Sequence, residues 1–159
     1  MAAQVSHFVE GRRVDDDVQV MMRFDGAATG LLWASQVAIG HVNGLRLRVY
    51  GETGSLAWTV EEPNTLLVNR LGEPVRRLER ASTGTTVAGR MPSGHPEGLI
   101  EALAQLYADF ARRLAAREAG RDGPLVAPAL PDVGDGARGV RFIEAVLDSA
   151  RAESGWVAL

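Results

Sequence analysis

Six short segments between residues 18 and 80 carry apolar side chains at alternate positions, and turns rich in glycine separate them. Period two is the spacing of a strand, and its repetition at this interval predicts an antiparallel sheet. In "VQVMMRF", Val18, Val20, Met22 and Phe24 share one face, and "DGAATG" then turns the chain at Asp25 and Gly26. The next strand, "GLLWASQVA", is apolar on both sides, with Leu31, Trp33 and Val37 opposite Leu32 and Ala34, so a central or doubly covered position is expected. After "GHVNG", the strand "LRLRVYG" sets Leu45, Leu47 and Val49 against Arg46, Arg48 and Tyr50. One side reads as core and the other as wet or at an interface. A turn at Gly51 to Gly54 leads to a strand with Leu56, Trp58 and Val60, and "TLLVNRL" and "EPVRRLER" complete the set.

The period then changes. Residues 81–94 are polar, contain glycine and read as a long loop, a kind of segment that is usually functional or mobile. In "EGLIEALAQLYADFARRL", Leu99, Leu103, Leu106, Phe110 and Leu114 recur at helical spacing, which predicts a helix over 96–117. Pro96 suits its first position and Glu97 complements its dipole. A loop rich in proline and glycine separates this helix from a second one over 135–152, with Val140, Ile143, Leu147 and Ala150 as its buried stripe. Asp135 is the expected N-cap, and "GWVAL" is expected to add a short terminal strand. The fold class is therefore α+β: an open, predominantly antiparallel sheet of about six strands, residues 1–14 as lead-in, and two main helices packed on one face. At 159 residues this is one domain, 1–159.

Composition removes several chemistries. All seventeen basic residues are arginine, so no lysine is present for a Schiff base, a proton transfer or a phosphate loop. Without cysteine there is no disulfide framework, thiolate metal site or cysteine nucleophile, which fits a reducing compartment. No run of 18 apolar residues occurs and "MAAQVSHFVEGRR" lacks an apolar core, so a cytoplasmic location without membrane contact is expected. The one basic stripe, "RRLER" with Arg70, reads as the wet face of a strand, so no nucleic-acid partner is expected.

Few residues invite a chemical role. His95, between Gly94 and Pro96 at a helix mouth, is either a polar group contacting a hydroxyl or anion, or simply a cap. Asp15, Asp16 and Asp17 alternate faces on an extended chain, so they read as a solvated lead-in and not as a metal site. His41 sits in a turn with no other ligand at metal spacing, and no hydrolase elbow is present. A sheet with apolar residues on both sides and about two helices needs cover for its second face. A partner subunit supplies that most simply, with Arg46, Arg48, Tyr50 and Trp58 as interface candidates.

In order, "SQVAIGHVNGLRLRVYGETGSLAWTVEEPNTL", "GHPEGLIEALAQLYADF" and "DGARGVRFIEAVLDSA" resemble the C-terminal domain of the glucose-fructose oxidoreductase and inositol dehydrogenase family, Gfo/Idh/MocA. The resemblance covers the chain from about Val14 to the end. It implies a two-domain enzyme in which a Rossmann half binds NAD or NADP, and it implies hydride transfer involving a sugar, polyol or related hydroxy compound. It also implies homo-oligomerisation through the sheet face. No G-x-G-x-x-G follows a strand here, and the family's Glu-Lys-Pro motif has no counterpart. His7, in "QVSHFVEG", lacks the glycines of the family's histidine motif and reads as an ordinary residue. No catalytic, cofactor-binding or metal residue is thus expected in this chain, and Arg90 and His95 are the candidates to face substrate. The reading is a substrate-side and oligomerisation domain, inactive alone, whose Rossmann half lies elsewhere. The alternative is a standalone non-catalytic scaffold that binds a ligand or a protein.

Overall fold

A computed structural model describes residues 1–82, 89–120 and 130–159. The elements are β1 Ala2–Ser6, β2 Asp17–Arg23, β3 Thr29–Ser35, β4 Arg46–Tyr50, β5 Gly54–Thr59, β6 Thr65–Arg70, β7 Arg76–Glu79, α1 Leu99–Glu118 and α2 Val133–Arg151. The α+β class with antiparallel strands is as the alternation predicts. The ladder is not one sheet of six, however: it divides into a three-stranded sheet, β1-β2-β3, and a four-stranded sheet, β4-β5-β6-β7. Correspondingly, the backbone forms two compact units, Met1–Gly40 with Pro131–Leu159, and His41–Leu130.

In the first unit, β1 arises from residues the sequence assigns to a lead-in. Its pairing with β2 sets Ala3 beside Val20 and Val5 beside Val18. Two small alanines, both 2% exposed, allow α2 to lie close against this strand. Ala3, Val20 and Val146 form the core, with Val5, Val18, Met22 and Phe142 around it. Ser149, fully buried, accepts the Ala3 N–H at 2.8 Å and donates to the Gly155 carbonyl at 2.7 Å. The terminal segment forms no ladder strand, but Met1 and Val157 exchange two backbone hydrogen bonds.

The β2–β3 turn falls where "DGAATG" puts it, with Gly26 and Ala27 both left-handed. By contrast β3 is not central. It is an edge strand in this chain, and Leu31 and Trp33 lie 84% and 62% exposed. The aspartates correct another expectation, since Asp16 and Asp17 are buried. Asp16 accepts the N–H groups of Phe8 and Val9 at 2.9 and 3.0 Å and pairs with Arg12 at 3.5 Å, while Asp17 accepts the Trp33 indole N–H at 2.8 Å. Their hydrogen bonds to backbone and indole compensate for the lost water.

In the second unit, β4 is an edge strand too, and its apolar side is not core: Leu45, Leu47 and Val49 remain more than half exposed. Helix α1 begins at Leu99 behind an N-cap at Gly98, three residues later than the proline suggests, and its apolar stripe contains no buried residue. For α2 the cap is Asp132 and not Asp135. Asp132 accepts from the Gly134 and Asp135 N–H groups, and Asp135, three positions on, accepts from the Asp132 N–H. That reciprocal pattern is a capping box built from two aspartates.

Candidate functional site

The most elaborate polar arrangement among the described residues lies in the second unit, where the ends of β6 and β7 meet the turn that precedes α1. Asn64 stands just before β6 and Arg80 just after β7, and the Arg80 N–H donates to the Asn64 carbonyl at 2.8 Å. The Asn64 side chain then holds residue 97 from both sides. Its Oδ1 accepts the Glu97 N–H at 2.9 Å and its Nδ2 donates to the Glu97 carbonyl at 2.9 Å.

Arg80 uses its whole planar fork. Nε donates to Asn64 Oδ1 at 3.0 Å, Nη1 to the Met91 carbonyl at 3.0 Å, and Nη2 to the carbonyls of Pro92 and His95 at 3.3 and 2.5 Å. Nη1 also lies 3.4 Å from Glu97 Oε1, and both side chains are largely shielded, at 11% and 15% exposure. The same Glu97 oxygen accepts the N–H groups of Arg90 and Met91. Beside this network is an open cleft of about 370 Å³ lined in part by Trp58, Arg90, Glu101 and Gln105. Glu101 accepts the Gly98 N–H at 2.8 Å, which, with its own backbone N–H and the nearby Arg90 charge, holds its carboxyl below the usual range.

Of the two substrate-facing candidates, Arg90 borders the cleft, with Nη2 donating to the Ala104 carbonyl at 2.7 Å. His95 sits in the turn, exposed, its N–H donating to the Pro92 carbonyl at 3.2 Å. It is not the helix cap, a position Gly98 holds. Part of the loop containing these residues, 83–88, lies outside the described residues.

The interface candidates separate. Arg46, Arg48 and Tyr50 pair across β5 with Thr59, Ala57 and Ser55, all on one side of the sheet, whereas Trp58 pairs with Leu47 on the other. The first side continues into β6 and β7 with Thr65, Arg77 and Glu79. There the Arg77 hydrogen bond depresses the Glu79 carboxyl, and Glu79 in turn raises Arg77. His7 and His41 are exposed, and no cluster of His, Asp or Glu suited to a metal ion occurs among the described residues.

Asn64, Arg80 and Glu97 escaped sequence reading for distinct reasons. "EPN" signals only a turn, and Arg80 at the end of "RRLER" looks like one more wet-face arginine. Glu97 reads as a helix first-turn acid, but it precedes the helix. The available signal was the order of P-N-T-L and G-H-P-E-G, which pairs the two turns without stating that they touch.

Comparison with known proteins extends over this same chain. The family model described as the oxidoreductase family, C-terminal alpha/beta domain, GFO_IDH_MocA_C, matches residues 1–159. An uncharacterized oxidoreductase of Bacillus subtilis, YfiI, is 32% identical over 148 residues, 91% of this chain and 38% of that protein. An oxidoreductase structure from Sinorhizobium meliloti is 42% identical with a TM-score of 0.90, covering 99% of this chain and 45% of that one. The inositol dehydrogenase homolog of Azotobacter vinelandii, solved with NADH and myo-inositol, is 35% identical with a TM-score of 0.92, covering 99% and 43%. The chain thus spans less than half the length of each of these relatives. From its strand order, its paired turns and a family match across all 159 residues, the chain belongs to the Gfo/Idh/MocA oxidoreductases, as their C-terminal alpha/beta domain.

Proposed function

We propose that this chain is the substrate-side and oligomerisation domain of an NAD(P)-dependent oxidoreductase acting on a sugar, polyol or related hydroxy compound. The observation that carries this reading is the 35% identity, over 99% of the chain, to a dehydrogenase homolog solved with NADH and myo-inositol. The chemistry of the residues agrees with a division of labour. Lysine is absent and no dinucleotide fingerprint follows a strand, so the nicotinamide, its pocket and the proton-transfer group belong to a Rossmann half outside this sequence. This chain contributes the wall against which a hydroxy compound is held, with Arg90 and His95 on the turn nearest the cleft. Arg46, Arg48 and Tyr50, on an edge strand, belong to the surface that meets a second copy. Exposed Leu31 and Trp33 on β3, and Leu45, Leu47 and Val49 on the side opposite Arg46, Arg48 and Tyr50, add further apolar surface that favours a partner. The cytoplasm, where NAD(P)-linked metabolism runs and a chain without cysteine is at home, is the proposed location; among the described residues no helix is long and apolar enough to cross a membrane.

Two measurements on the purified 159-residue chain test this. Fluorescence titration with NADH and NADPH is expected to show no saturable binding, and light scattering after size exclusion is expected to give a dimer or larger. Hydride transfer from a polyol to NAD or NADP by this polypeptide alone would refute the division of labour, and a strictly monomeric species would remove the oligomerisation role.

A further inference from the structure

We infer that Arg80 is a positioning residue that clamps turn 89–98, and with it Arg90 and His95, onto the end of the second sheet. The turn draws many of its ties from this one side chain. It contains two prolines and the left-handed Gly94, it has no regular secondary structure, and its carbonyls at Met91, Pro92 and His95 converge on a single guanidinium. A fork of five donors in one plane can serve those three carbonyls, Asn64 Oδ1 and the Glu97 carboxylate together. An ammonium group with three donors cannot. Asn64 fixes the same turn from the sheet side by its two bonds to Glu97.

A second, independent observation is the glycine at the entry to the turn. A Cβ built on Gly89 would fall 2.3 Å from Arg80 Nη1 and 3.2 Å from Glu97 Oε1. The backbone therefore passes within touching distance of the ion pair, and only glycine leaves the guanidinium in place. The clamp stands on this geometry alone, while its bearing on substrate rests on the function proposed above.

Amide hydrogen exchange on the 159-residue chain, with no cofactor or substrate, reads the clamp separately from any dehydrogenase assay. The reporters are the Arg90, Met91, His95 and Glu97 amides, which the network holds in hydrogen bonds. In Arg80→Met, in Arg80→Lys and in Gly89→Ala, which keeps the arginine but displaces it, these amides are expected to exchange about tenfold faster or more. Amides of β2 and α2 are expected to hold their rates. Unchanged reporter rates in folded Arg80→Met or Gly89→Ala would overturn the inference. So would full rescue by lysine, acceleration matched everywhere in the second sheet, or loss of folding in all three variants, each of which would make Arg80 a general stabiliser.

Discussion

The Asp16 carboxylate is closed off from water, yet it stays charged because two backbone N–H groups and a guanidinium surround it. The Phe8 N–H lowers its pKa most, the Val9 N–H and the Arg12 and His7 charges add to this, and burial opposes them. The folded value lies below the ordinary 3.8, so the folded protein retains the charge at pH values where the unfolded chain takes up a proton. Its contribution to stability is complete above the unfolded value and is lost as pH falls through the folded one. Stability measured by urea denaturation is therefore expected to fall as pH drops below about 5, more steeply for the wild type than for Asp16→Asn, which also starts lower because its amide turns a donor toward two donors. Equal slopes would show that the carboxylate is not held as described. This role was not visible in "DDD", because alternation along a strand says which residues share a face and nothing about the loop that folds back to donate its N–H groups.

Helices and strands were more legible than their ends. Both helices occur, but α2 buries Ala145, Val146 and Ser149, with Phe142 packed beside them, whereas Val140 and Ile143 of the expected stripe lie more than half exposed, because the face that meets β1 is turned from the one the large apolar residues mark. Its start was placed at Asp135 because a single aspartate before an apolar run is the usual cue, whereas two aspartates three residues apart share the work. Asp132→Ala is expected to cost about 1 kcal/mol, read as a lower denaturation midpoint with unchanged cooperativity. A smaller loss than that from Asp135→Ala would restore the original assignment. For α1, the apolar spacing was right about the helix, but Leu99, Leu103, Leu106 and Phe110 stay exposed. The strands repeat that lesson. Alternation found β2 through β7, but it took the apolar faces of β3 and β4 for core because periodicity cannot tell a face buried within a chain from one awaiting a partner. The first strand, β1, was missed because its alanines carry too little hydrophobic signal to mark a face.

At the scale of the whole molecule, the fully buried apolar residues found among the described positions are Ala2, Ala3, Val20, Ala145 and Val146, all in the first unit. Large apolar side chains on β3, on β4 and along α1 remain at the surface. The most direct measurement joins this chain, in place of the matching C-terminal part, to the remainder of the Azotobacter vinelandii inositol dehydrogenase homolog and follows NAD+ reduction with myo-inositol and a panel of sugars and polyols. We predict that the hybrid reduces NAD+ with at least one of these substrates while the 159-residue chain alone reduces it with none. A hybrid that folds and binds NAD+ but turns over no hydroxy compound, or an isolated chain that does, would contradict the assignment of this domain to the substrate side of the reaction.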